Sequence, residues 1–219
     1  MKDEGDSSMK LQQQQLSLHE KGLSRVIPPE VLEQLKAYLG VLPIHIRVIV
    51  ILLLECGLRV SELCALPLDC LMRDAAGNWL LRCASSKTRS ERTIPLSPDT
   101  AAMIQEQQQT LMQGKQGVMG LLFTDSKGRP VSSRIFMKQL NRLAIEKDLR
   151  DVTGTVWQFQ APQFRSTFVT HMIEQQVPIE VIQQYIGAQT LGIALRAHIR
   201  LLANASINQY LYYLHLSRE

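Results

Sequence analysis

Gly57-Leu58-Arg59-Val60-Ser61-Glu62-Leu63 stands directly after the longest apolar run of the chain, Val48 to Leu54. That run is far short of the roughly 20 residues needed to cross a bilayer, so it reads as a buried helix. Pro43 opens the helix and Gly57 stops it. A short helix follows around Val60 to Ala65, and Pro67 ends it. Taken alone, residues 57–63 read as a junction between two helices with an Arg–Glu pair on the surface.

Working outward, Val26-Ile27-Pro28-Pro29 precedes Val31, Leu32, Leu35 and Leu39, which recur at helical spacing. Residues 1–25 are polar, include the run Gln12 to Gln15, and read as a disordered leader. Downstream the period changes. Residues 70–73, 79–84 and 92–96 read as three short strands, joined by Ala75-Ala76-Gly77-Asn78 and by the polar stretch Ser85 to Glu91. Helices resume after Ser97-Pro98-Asp99, an N-cap signal, and again near Ser132 or Ser133. Residues 150–160 read as a linker. Pro162 opens a helix to about Gln175, and Pro178 opens another that Gly187 ends. Two more helical stretches, about 190–202 and 206–216, complete a mainly α domain with one small antiparallel sheet.

Composition narrows the function classes. A hydrophobic share of 45% fits a packed core and argues against wholesale disorder. An aromatic share of 5% argues against a base-stacking platform, and a net charge of +4 permits nucleic-acid binding without arguing for it. Cys56, Cys64, Cys70 and Cys83 lack the C-x-x-C spacing of a zinc site, and no secretory signal precedes them. They read as reduced core thiols of a cytoplasmic protein, with no metal and no cofactor expected.

Three boxes then stand in order. Residues 57–63 resemble the T-G-x-R-x-x-E-L box of tyrosine recombinases, the phage-integrase family. The resemblance implies that Arg59 contacts a DNA phosphate, for which a planar, permanently charged fork is suited. Glu62 would orient that arginine. Ser86-Lys87-Thr88-Arg89-Ser90-Glu91-Arg92-Thr93-Ile94-Pro95-Leu96 resembles the family hairpin G-K-x-x-K-E-R followed by V-P-L. Lys87, five residues before Arg92, holds the place of the lysine that protonates the leaving sugar oxygen. Pro162-Gln163-Phe164-Arg165-Ser166-Thr167-Phe168-Val169-Thr170-His171 resembles H-x-L-R-H-T-F-A-T-H, and Val177 to Gly187 resembles the helix and glycine cap that follow. Arg165 matches the second phosphate-binding arginine. The wording is nearest to transposon-encoded members. The resemblance spans about residues 28–200 and implies the family's catalytic-domain fold over 26–203.

The departures fall on the chemistry. Pro162 stands where the family has its first active-site histidine, and Ala188 where it has the next. The nucleophilic tyrosine lies nine residues beyond that second site, where the text is Leu195-Arg196-Ala197-His198-Ile199. Either Ala197 replaces it, or one residue is deleted and Arg196 abuts the old A-H-I. In the family a phenolic oxygen attacks phosphorus and forms a covalent phosphotyrosine, which arginines alone cannot do.

The expected function is therefore a mobile-element recombinase homologue that binds double-stranded DNA without cutting it, nucleoid-associated when bound. One alternative is an active recombinase using Tyr210, Tyr212 or Tyr213, or a partner's tyrosine. Another is a protein-interaction module that has lost DNA. Tyr185 reads as packing, and His171 as a hydrogen-bonded histidine on an apolar helix face. The last helix, within residues 204–219, carries Ile207, Leu211 and Leu214 on one stripe and is expected to dock in its own domain, in a second protomer or in a partner recombinase.

Overall fold

Prolines and glycines set the helix boundaries. The computed structural model describes residues 26–85, 90–113, 120–125 and 127–187. Helix α1, Pro29–Tyr38, starts at a proline whose missing N–H has no partner to lose in a first turn. It buries Val31 and Leu35, and a single 3-10 turn, Leu39–Val41, leads on. Helix α2, Ile44–Cys56, buries Ile46, Val48, Ile49, Val50, Leu52, Leu53 and Cys56. A helix apolar nearly all round must be surrounded. It is the central element, packed against three later helices: α3 (Val60–Cys64), α4 (Pro98–Gln113) and α6 (Ala161–Glu174).

Gly57 ends α2 in the left-handed region, at φ 55°. A Cβ there would run into Cδ1 of Phe168, so the position needs glycine for both its dihedral and its contact. That contact brings the end of α2 against α6.

The sheet order is β1-β2-β3 and all pairing is antiparallel, with β1 Leu71–Arg73, β2 Trp79–Ser85 and β3 Ser90–Pro95. Leu71, Leu81 and Ile94 stand opposite one another and face the core, as do Cys83 and Arg92. The expected strands are present, with β3 starting two residues earlier than the sequence suggested. The polar stretch 86–89 lies outside the described residues.

After β3, Ser97 Oγ accepts the Thr100 N–H at 3.1 Å and starts α4. Helix α5, Ser133–Glu146, buries Phe136, Leu140, Leu143 and Ala144. Helix α7, Ile179–Ile186, packs on α6 and β3 and ends at Gly187, φ 60°. The start of the described chain is pinned to α6, because Ile27 N–H donates to Thr167 Oγ1 at 2.9 Å.

Two expectations are corrected. Residues 150–160 are not a linker. Arg150 bridges to Val156, Trp157 N–H donates to Leu149 O, and Phe159 N–H donates to Asn141 Oδ1. Trp157 and Phe159 are buried, and the Phe159 ring stacks on Phe164. The segment is a hairpin-like brace in front of α6, and its polar turn, Asp151 to Thr155, hides the two aromatic anchors that follow. His171 is exposed rather than set in an apolar face, and it meets Gln175 one turn on, at 3.3 Å. The leader 1–25, Lys87, Ala188, Ala197 and the helical stretches expected at 190–202 and 206–216 lie outside the described residues.

Candidate functional site

The site is built where four chain segments meet: the α2–α3 junction, β3, the start of α6 and the end of α7. Arg59 is the N-cap of α3, in extended geometry. Glu62, three residues on, turns back. Its Oε2 accepts the Arg59 backbone N–H at 3.0 Å, and its Oε1 accepts Arg59 Nη1 at 2.8 Å. This is the acidic half of a capping box, and it also orients the guanidinium.

Glu62 has a second arginine. Arg92 of β3 donates from Nη2 to Oε2 at 2.9 Å and from Nη1 to Oε1 at 3.3 Å. Its Nε donates to the carbonyl of Tyr185, near the end of α7, at 2.8 Å. The Glu62 side chain is 2% exposed and that of Arg92 12%, whereas Arg59 is 31% exposed. Of the three, Arg59 is therefore the one open to a ligand. Burial pushes the Glu62 carboxyl up, but the hydrogen bonds from Arg92 and Arg59 outweigh it and hold the group down at about 2.

Arg165 comes from the first half of α6. Its Nη1 donates to Gly57 O and its Nη2 to Ile186 O, each at 2.7 Å. Both carbonyls lie at helix C-termini, where the backbone leaves acceptors free and carries partial negative charge. The guanidinium is thus fixed without a carboxylate among these hydrogen-bond partners. Burial first, and then the nearby Arg59 charge, together bring its pKa down to about 10. It stays protonated at neutral pH, in a place that disfavours its charge.

The structure therefore brings Arg59, Glu62 and Arg165 into one cluster. Among the described residues of the cluster, three arginines against one carboxylate leave a formal charge of +2. Pro162 sits in the first turn of α6, one turn before Arg165, and is exposed. Its ring carries no polar atom. Lys87, Ala188 and Ala197 lie outside the described residues.

Sequence reasoning used Arg92 only as a landmark for Lys87. A signal was available: Arg92 lies two residues before the buried Ile94, so strand alternation turns it inward, and an inward arginine needs an acceptor. Among the described residues, no group of three or more His, Cys, Asp or Glu side chains is placed to hold a metal, and no helix is long and apolar enough to cross a membrane. Tyr185 packs against the core and lies beside the Phe168 ring.

Residues 25–200 match the phage integrase family. The chain belongs to that family. This family member is 33% identical over 176 residues to transposase B from transposon Tn554 of Staphylococcus aureus strain Mu50, covering 80% of this chain and 28% of that protein. It is 28% identical over 163 residues to tyrosine recombinase XerA of Pyrococcus furiosus, covering 73% and 53%. The chain thus spans little more than a quarter of the transposase. Among solved structures, XerH recombinase bound to its difH substrate in a pre-cleavage complex aligns with a TM-score of 0.65 at 20% identity, covering 84% of this chain and 53% of that one. The Tn1549 transposon integrase in complex with circular intermediate DNA aligns at 0.58 and 16% identity, covering 78% and 60%. These likenesses establish the fold as that of tyrosine recombinases, mostly helical with a three-stranded antiparallel sheet.

Proposed function

We propose that this integrase-family domain belongs to a mobile element and holds a duplex phosphate without breaking it. The observation that carries the reading is Arg165. Among the described residues, a half-buried guanidinium held by two carbonyls, beside two further arginines and a single carboxylate, is electrostatically incomplete. An anion against Arg59 and Arg165 would relieve that imbalance, and a phosphate offers the planar forks two oxygens each. Lys87, in the stretch of sequence between β2 and β3, is assigned a further contact to the DNA backbone.

Three features support holding without cutting. Pro162 places a ring carbon where a proton-transferring imidazole would stand, one turn from Arg165. Ala188 and Ala197 put methyl groups at the positions that resemble the family's second histidine and its nucleophile. Phosphoryl transfer needs an attacking oxygen, and stabilising charge does not replace one. The relatives named above support DNA as the partner: XerH and the Tn1549 integrase were each captured on DNA. Self-association through the apolar stripe Ile207, Leu211 and Leu214 is part of the same proposal.

The test is duplex binding over a salt series. Binding is expected to be weak, sequence-tolerant and salt-dependent, since each phosphate neutralised contributes about 0.9 to the slope of log K against log salt. Substituting Arg59 and Arg165 together by Ala removes that one phosphate contact and should lower the slope by about one, weakening binding to all sequences alike. An unchanged slope would remove the site from the DNA interface.

A further inference from the structure

We propose that Arg92 is the positioning residue of this site, setting Arg59 through the Glu62 carboxylate and Arg165 through the end of α7. The inference deepens the phosphate-holding reading and rests on it only for its effect on DNA.

Arg92 uses its fork in two directions. Nη1 and Nη2 meet both oxygens of Glu62, and the same two oxygens hold the side chain and backbone N–H of Arg59. Nε meets Tyr185 O, and the very next carbonyl, Ile186 O, receives Arg165. One guanidinium therefore links the acceptor that orients the first phosphate arginine to the helix end that orients the second. The chain leaves room for it: a Cβ on Gly187 would lie 2.7 Å from Arg92 Nη1 and 3.0 Å from its Cζ. Gly187 thus serves as helix cap and as clearance for the arginine.

A lysine cannot reproduce this. Its ammonium is a point donor on a flexible stem and does not span a carboxylate and a carbonyl with fixed geometry. At 12% exposure Arg92 itself is nearly shut off from a ligand, so its influence runs through its partners. Because Arg92 belongs to β3, the same linkage ties the hairpin to the arginine cluster. Without it, Glu62 would pair with Arg59 alone, and the end of α7 would lose one of its donors.

The test follows the Arg59 and Arg165 Nε–H signals by NMR in the 15N-labelled full chain, assigned with Arg59→Lys and Arg165→Lys. Arg92→Lys keeps the charge and removes the fork. Both signals should shift and lose rigidity in that variant. If both stay as in the wild type, the positioning role is wrong, whether or not the protein binds DNA. Glu62→Gln is the second variant. It should loosen Arg59 and leave Arg165 rigid, and equal loosening of both would overturn the two-armed arrangement. In the DNA arm, Arg92→Lys should weaken binding to a labelled duplex about tenfold, the scale of one charge-assisted hydrogen bond. Wild-type affinity in Arg92→Lys would mean that Arg92 contributes charge only. Failure of the wild type to bind any duplex would sink the DNA reading, and the NMR arm would still decide the role of Arg92.

Discussion

Replacing Glu62 by Gln changes little volume and removes the negative charge that, among the described residues, faces three arginines. In the wild type the folded-state pKa of about 2 lies below the ordinary value of 4.5. At about 1.4 kcal/mol per pKa unit, the charged form contributes on the order of 3 kcal/mol to folding. Arg92, nearly buried, supplies more of this than the part-open Arg59. Gln retains one acceptor oxygen, but its amide N–H₂ would face donors. Urea unfolding at pH 7 should therefore show a loss of roughly 2–4 kcal/mol with the m-value unchanged. The pH dependence has a definite sign. A depressed carboxylate stabilises fully above about pH 4.5 and loses that contribution as pH falls toward 2, whereas Gln does not titrate. The gap between wild type and variant should be flat from pH 5 to 8 and narrow steadily below pH 4.5. A gap under about 1 kcal/mol at pH 7, or one still full at pH 3, would refute the account of Glu62 as the shared anchor.

Three further substitutions or reagents probe the packing around the site. Gly57→Ala forces a Cβ into the Phe168 ring at positive φ and should cost about 2–4 kcal/mol by denaturant unfolding. Thr167→Val removes the acceptor for Ile27 N–H inside the core, and a loss of about 1–3 kcal/mol is expected from the orphaned donor. Burial raises the thiol pKa values of Cys70 to about 12 and Cys83 to about 11, and raises that of Cys56 further. A thiol-specific disulfide reagent at pH 8 should therefore leave these three unmodified in the folded protein and react with them on denaturation.

The fold was readable because its punctuation is local. Pro29, Pro98 and Pro162 lie in the first turns of their helices, Gly57 and Gly187 cap theirs, and Gly77 sits in the β1–β2 turn. Each signal acts within a few residues, so sequence reasoning reaches it. Arg59, Glu62 and Arg165 were legible as boxes. Their assembly was not, because what joins them is tertiary: Arg165 reaches Gly57 across 108 residues, and Arg92 reaches Tyr185 across 93. Backbone carbonyls are the acceptors in both cases, and a carbonyl carries no residue identity to read. The brace at 150–160 was missed for a related reason. Its turn is polar and local, while the burial of Trp157 and Phe159 depends on packing partners that sequence order does not supply.

The central claim is DNA binding without strand cleavage. The most direct measurement is incubation of the full chain with a labelled duplex carrying a nick beside the cleavage position, which traps any covalent intermediate, followed by a denaturing gel. The account predicts that the duplex is bound in native conditions, that the binding weakens with salt, and that no labelled protein–DNA adduct survives denaturation. A labelled adduct that disappears when Tyr210, Tyr212 or Tyr213 is changed to Phe would contradict it and identify a displaced nucleophile.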